Sequence, residues 1–170
     1  MKYIFTLLLF TIFISTNILS SDEISEDCSS KNVPSSERSF SNNFSGNFNG
    51  KNLQYTASLK EKILYEKDNP NEPMASFFYT EYIVASDKNR PVIFSFNGGP
   101  GSASLWLHMG VLGPKVIKVP SDASDDGSAP YKIVDNKLSP LSDADLVFID
   151  PIGTGYSRAV GCHEPEEFWG

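Results

Sequence analysis

The chain has 170 residues, enough for about one ordinary domain, and carries 14 basic against 21 acidic side chains for a formal net charge of -7. That balance leaves no basic stripe to neutralise phosphates, so no nucleic-acid partner is expected. With 40% hydrophobic and 12% aromatic residues, the composition is that of a globular chain rather than a disordered one.

Met1-Lys2, an apolar run over 3–14 and small or polar residues through Ser20-Ser21 have the layout of a secretory signal peptide over 1–20. The apolar run is shorter than the roughly 20 residues a spanning helix needs. A secreted or periplasmic protein without a stable membrane anchor is therefore expected. Residues 21–50 are rich in Ser, Asn, Asp and Glu, with isolated Phe40, Phe44 and Phe48, and read as a flexible lead-in. Asn43-Phe44-Ser45 is a glycosylation sequon in a host that glycosylates exported chains. The globular part is expected over 51–170. Leu53, Tyr55, Ala57 and Leu59 alternate, Phe77, Tyr79, Glu81 and Ile83 alternate more loosely, and a turn-rich cluster over 68–73 lies between them, which predicts a hairpin.

Residues 92–96 are apolar on both faces and predict a central strand covered on both sides. It feeds Asn97-Gly98-Gly99-Pro100-Gly101-Ser102. Glycine and proline are costly in regular elements, so this is a strand-to-helix turn whose bare amides are placed to hold an anion or a developing oxyanion. Ser102 or Ser104 is expected to cap the helix through Leu105, His108 or Met109, and Leu112, which Gly113-Pro114 stops. A short strand over 116–119, an acidic surface loop over 121–130 and strands over 131–134 and 146–149 follow. Pro151-Ile152-Gly153-Thr154-Gly155-Tyr156-Ser157 forms a second glycine turn past a strand end. Open α/β sheets bind ligands beyond such ends, so the two turns are expected to converge on one crevice.

On Asn97-Gly98-Gly99-Pro100-Gly101-Ser102, Leu112-Gly113-Pro114 and the run from Asp145 to Ser157, the chain resembles the serine carboxypeptidases of peptidase family S10. The resemblance implies the N-terminal part of an α/β-hydrolase fold: antiparallel leading strands, then parallel strands with the first helix. It implies an exported serine-type carboxypeptidase that releases C-terminal residues through an acyl-enzyme, acting on peptides with a free C-terminus, with no cofactor and no metal. Position by position, Gly99 looks like the oxyanion-hole glycine, and Asn97 and Gly98 look like part of the site for the substrate's terminal carboxylate. The family's glutamate in the helix before the Gly-Pro pair falls on Val111, an aromatic residue before the asparagine is replaced by Ser95, and Asp150-Pro151 lacks a residue that relatives insert. The family's Gly-x-Ser-x-Gly elbow with the following Asp and His lies past this chain, so these 170 residues alone are expected to be inactive. Two alternatives remain: a non-catalytic secreted peptide-binding domain, and an acyltransferase or esterase on the same scaffold.

Gly155-Tyr156-Ser157-Arg158-Ala159 imitates an elbow, but Ser157 stands eight positions past Ile149, whereas an elbow serine follows its strand directly. His108 is expected as a surface or half-buried packing residue, and His163 beside Cys162 and Glu164 lacks metal-ligand spacing. Cys28 and Cys162 are either partners in a disulfide or, equally, Cys162 has a partner elsewhere. Trp106 and Trp169 are expected in the core. The sequence sets no oligomeric state.

Overall fold

The structure, a computed structural model, describes residues 28–86, 88–98, 101–119 and 129–169. The expected signal peptide over 1–20, Gly99 and most of the acidic loop over 121–130 lie outside the described residues. Strands dominate. β1 (Ser39–Phe48), β2 (Lys51–Tyr65) and β3 (Pro73–Val84) form an antiparallel meander. β4 (Val92–Ser95) ends at the first glycine turn, β5 (Lys115–Lys118) and β6 (Lys132–Asp135) pair as a separate hairpin, and β7 (Asp145–Ile149) returns to the main sheet. The sheet order is β1-β2-β3-β7-β4, with β8 (Arg158–Ala159) beside β3. β7 runs antiparallel to β3 and parallel to β4, so the sheet is mixed.

The hairpin predicted around 68–73 is present as β2 and β3. The turn closes through Glu72 N–H donating to Asn69 O at 3.0 Å and Glu66 N–H to Glu72 O at 2.9 Å. The lead-in reading fails over Ser39–Phe48, which is a full edge strand. Its polar sequence hid it because both faces of most of this edge meet water, and no apolar alternation is then required. Phe40, Phe44 and Phe48 share one face; only Phe48 is buried, against Tyr55, while Phe44 stacks on Tyr55 at 5.8 Å.

The core gathers Phe48, Tyr55, Val84, Leu141, Leu146 and Phe148, with Leu107 and Leu112 packed against it. β7 is its centre, its first four residues all buried, as expected of a short apolar strand between two neighbours. The central placement expected for 92–96 is not found. β4 is the last strand of the sheet, and Val92, Phe94 and Phe96 are exposed. Two-sided apolarity reports a strand that is to be covered and does not say by what. Trp106 and Trp169 are exposed as well, against the expectation of core positions. Trp106 lies on a helix whose inward positions Leu107 and Leu112 take the core, and Trp169 is held at the surface by a 3.4 Å bond from Nε1 to Ile152 O.

An ion pair with an exposed Arg38 and a buried Glu61 joins the lead to the hairpin. The Glu61 carboxylate, with no exposed side-chain surface, accepts from Arg38 Nε at 2.7 Å, from Arg38 N–H at 3.2 Å and from Ser76 Oγ at 2.5 Å. The Arg38 guanidinium lies 5.0 Å over the Phe78 ring and holds the Glu61 carboxyl below its ordinary range. Cys28 and Cys162 are disulfide-bonded across 134 positions, and Gly161 N–H donates to Lys31 O at 2.8 Å beside them. The staple fastens a segment that has little core of its own to the far end of the chain.

Two outcomes follow. Replacing Cys28 and Cys162 together by serine should destabilise the fold by about 2–5 kcal/mol, because the bond closes a long loop in the unfolded chain; an unchanged urea midpoint would contradict this. A carboxyl held below its unfolded pKa contributes stability that is complete above about pH 4.5 and is lost as pH falls through the folded value. Acid unfolding below pH 4.5 should therefore be blunted in Glu61→Gln relative to the parent, measured as stability against pH.

Candidate active-site scaffold

Parallel pairing of β4 with β7, Val92 with Asp145 through Ser95 with Phe148, puts the C-terminal ends of both strands at the same end of the sheet. The first glycine turn leaves one and the second leaves the other. The two turns thus leave the same end of the sheet, and hydrogen bonds join their flanks.

The joint is Ser104 against Asp150. Ser104 is buried and occupies the cap position of a single α-turn, Leu105–Leu107, which continues as a π-helical turn over His108–Leu112. Capping by the Ser104 hydroxyl, expected from the sequence, does not occur. The hydroxyl donates to the Ile149 carbonyl at the end of β7 and accepts the Asn97 backbone N–H at 3.3 Å, while the Ser104 backbone N–H donates to Asp150 Oδ1 at 2.9 Å. The orphan amide at the helix start is therefore satisfied by a carboxylate from the second turn. Gly155, at φ +53°, has no room for a side chain, because a Cβ there would run into the Asp150 carboxylate. The second turn folds around Asp150 and closes on itself, with Thr154 N–H donating to Pro151 O at 3.0 Å and Gly153 N–H to Ser157 O at 3.1 Å.

Ser157 is wholly buried. Its hydroxyl donates to Asp150 O at 2.8 Å and accepts Phe78 N–H at 2.8 Å, so its bonding capacity serves to pin the second turn to β3. Its place is structural, as its distance from the β7 end had indicated.

The helix after the first turn is moored by His108. The imidazole stacks on Phe148 at 4.5 Å and 17°, and Nε2 meets the Tyr82 hydroxyl at 2.5 Å. Burial lowers the His108 pKa, with the Asp150 charge opposing, and burial raises that of Tyr82. Both groups are neutral near pH 7, and one hydrogen bond joins them. Gly113 then has a steric purpose, because a Cβ there would collide with the His108 carbonyl and ring. The last carbonyls of the turn are met from the 136–139 segment: Asn136 Nδ2 donates to Val111 O at 2.8 Å and Gly113 O at 2.9 Å, and Ser139 Oγ donates to Leu112 O at 2.7 Å.

Of the residues singled out for binding, Gly99 lies outside the described residues. Asn97 is half-buried, and its Nδ2 donates to Ser102 Oγ at 2.6 Å. Gly101 takes φ +85° and needs glycine for that reason alone. Gly98 is different: its φ is not in the left-handed region, and a Cβ built there would meet nothing within 4 Å. Among the described residues, nothing in the packing requires glycine at 98. Val111 is exposed on the π-helical turn. His163 stands apart from the turns, its Nδ1 2.8 Å from Glu167 and its Nε2 3.8 Å from Glu72. Asp150, Ser104, Tyr82 and Gly155 were not singled out as site residues from the sequence. The signals were present, in a carboxylate directly after an apolar strand and a serine directly before a helix, but their pairing is non-local.

The sequence model of the serine carboxypeptidase family matches residues 52–164. Carboxypeptidase Y homolog A of Pyricularia oryzae is 32% identical over 106 residues, covering 61% of this chain and 17% of the relative. The homolog of the same name in Aspergillus oryzae is 35% identical over 102 residues, covering 59% of this chain and 17% of the relative. Serine carboxypeptidase-like 36 of Arabidopsis thaliana is 32% identical over 90 residues, covering 51% of this chain and again 17% of the relative. This chain therefore spans about a sixth of the length of these curated relatives. With the matched region holding the hairpin, both glycine turns and the helix between them, the chain belongs to the serine carboxypeptidase family.

Proposed function

We propose that this chain supplies the oxyanion turn and the carboxylate-recognition turn of an exported serine-type carboxypeptidase on an α/β-hydrolase sheet. The observation that carries the reading is the junction of the two turns through Ser104 and Asp150, at the shared end of parallel strands. A buried serine and a carboxylate fasten the flanks of this strand-end loop at Asn97 and Ser104, and electrostatic catalysis depends on donors that need not reorganise as charge develops. In this reading Gly99 offers its backbone N–H to the tetrahedral oxyanion. Asn97 and Gly98 receive the terminal carboxylate of a peptide, and the unexplained glycine at 98 leaves bare backbone for a ligand to approach.

The nucleophile and its base are proposed to come from elsewhere in the complete protein. Neither histidine serves here: His108 Nε2 meets Tyr82, and His163 Nδ1 meets Glu167. Ser157 is buried with its hydroxyl engaged. A serine acyl-transfer site needs a nucleophile with a base in reach, so residues 22–170 alone should neither cleave a peptide nor label with a serine-directed phosphonate. Export rests on the leader composition and suits a chain with a disulfide.

Three outcomes test the reading in the complete protein. Gly99→Val should lower kcat roughly 100- to 1000-fold with the fold retained, the scale for losing one oxyanion donor; full turnover would show that this turn holds no oxyanion. Gly155→Ala, which drives a Cβ into the Asp150 carboxylate, should destabilise by about 1–3 kcal/mol and lower kcat as well, read from thermal unfolding and steady-state rates. With the apolar Val111 in the helix, hydrolysis should tolerate a C-terminal amide; absolute discrimination against the amide of a good free-acid substrate would contradict recognition by Asn97 without a proton-sharing partner.

A further inference from the structure

We propose that Ser102 is a positioning residue that sets which atoms of the Asn97 carboxamide face the substrate's terminal carboxylate. This rests on the assignment of Asn97 to carboxylate recognition made above. A carboxamide has two faces of opposite meaning: two N–H donors on Nδ2, which attract a carboxylate, and a carbonyl oxygen, which repels it. An unrestrained asparagine presents either. Here the backbone of Asn97 is already held, its N–H donating to the buried Ser104 hydroxyl, which in turn donates to the Ile149 carbonyl. Only the side-chain torsions remain, and the 2.6 Å bond from Nδ2 to Ser102 Oγ restrains them.

The bond spans the bend itself. Asn97 and Ser102 stand on either side of it, and Gly101 at φ +85° turns the chain so that the second can reach the first. One amide hydrogen is spent on Ser102, and the other keeps a direction set by the planar amide. The helix contributes apolar Val111, not a carboxyl that could share a proton with the substrate. Of what this chain brings to the free carboxylate, the Asn97 carboxamide is the side-chain part, so its orientation bears on discrimination. Ser102 touches no reacting atom. Its effect on substrate passes through Asn97.

The experiment is steady-state hydrolysis by the complete protein of an N-acylated dipeptide free acid and its C-terminal amide, with Asn97→Ala, Ser102→Ala, Ser102→Cys and Ser102→Thr beside the parent and thermal unfolding of each as a check on folding. Ser102→Ala is expected to raise KM for the free acid roughly three- to tenfold, the range for one neutral hydrogen bond, with kcat within about twofold and weaker preference for free acid over amide. Ser102→Thr, which keeps the hydroxyl, should restore both. Ser102→Cys, close in shape and a poorer acceptor, should fall between and serves if the alanine variant does not fold. Wild-type KM and preference in Ser102→Ala, alongside their loss in Asn97→Ala, would overturn the role of Ser102 and leave that of Asn97. A fall in kcat at constant KM would overturn it too, since the effect would then lie in the oxyanion turn. If Asn97→Ala is also like the parent, or if the complete protein releases no C-terminal residue, the underlying assignment fails and this inference with it.

Discussion

The structure depends on a single carboxylate at the end of its most buried strand. Asp150 follows β7 directly, accepts the first amide of the helix that leaves the other glycine turn, and has its own turn wrapped tightly enough around it that Gly155 cannot carry a Cβ. Glycine-rich turns lose more conformational entropy on folding than other segments, so a loop of this composition is ordered only where its surroundings specify it. Here that specification passes from the sheet to Asp150, from Asp150 to Ser104, and from Ser104 to the backbone of Asn97. A disturbance anywhere along that line reaches the turn.

The remaining support is apolar and aromatic. The His108 ring lies flat on Phe148 and takes its one polar contact from Tyr82, both on strands of the central sheet. Because burial keeps the imidazole neutral, the mooring brings no charge beside the turns. A protonated histidine there would add a cation to a region already shaped by the Asp150 carboxylate. The neutral pair holds the helix while leaving that electrostatic arrangement to Asp150.

The two ends of the sheet differ in kind. The β1–β3 meander is closed by polar edge residues, the pairing of Arg38 with the buried Glu61 and the Cys28–Cys162 bond. The β4 edge exposes Val92 and Phe94, and Phe96, Leu105 and Trp106 stand exposed just after it. Such an edge invites pairing, and proteins ordinarily cover it.

Much of the scaffold was legible in the sequence because its signals are local. Period-two alternation marked β2 and β3, a short apolar run bounded by aspartates marked β7, and glycine with proline marked both turns. The shared end of those turns was also foreseeable, since parallel strands place their C-terminal ends together. Edge strand β1 was not legible, because a strand washed by solvent on both faces needs no apolar alternation. Nor was the exposure of β4 and Trp106, because apolar character states a preference for burial and names no partner. The pairing of Cys28 with Cys162 stayed open for a related reason: loop closure across 134 positions costs little more than across half as many, so separation does not select a partner. Least legible were the contacts of Ser104, Asp150 and Tyr82. Each residue type permits many hydrogen bonds, and only the parallel pairing of β4 with β7, a contact between segments some fifty residues apart, brings their atoms within reach. Local chemistry determined where the chain turns, and the tertiary structure decided what the flanks of those turns are fastened to.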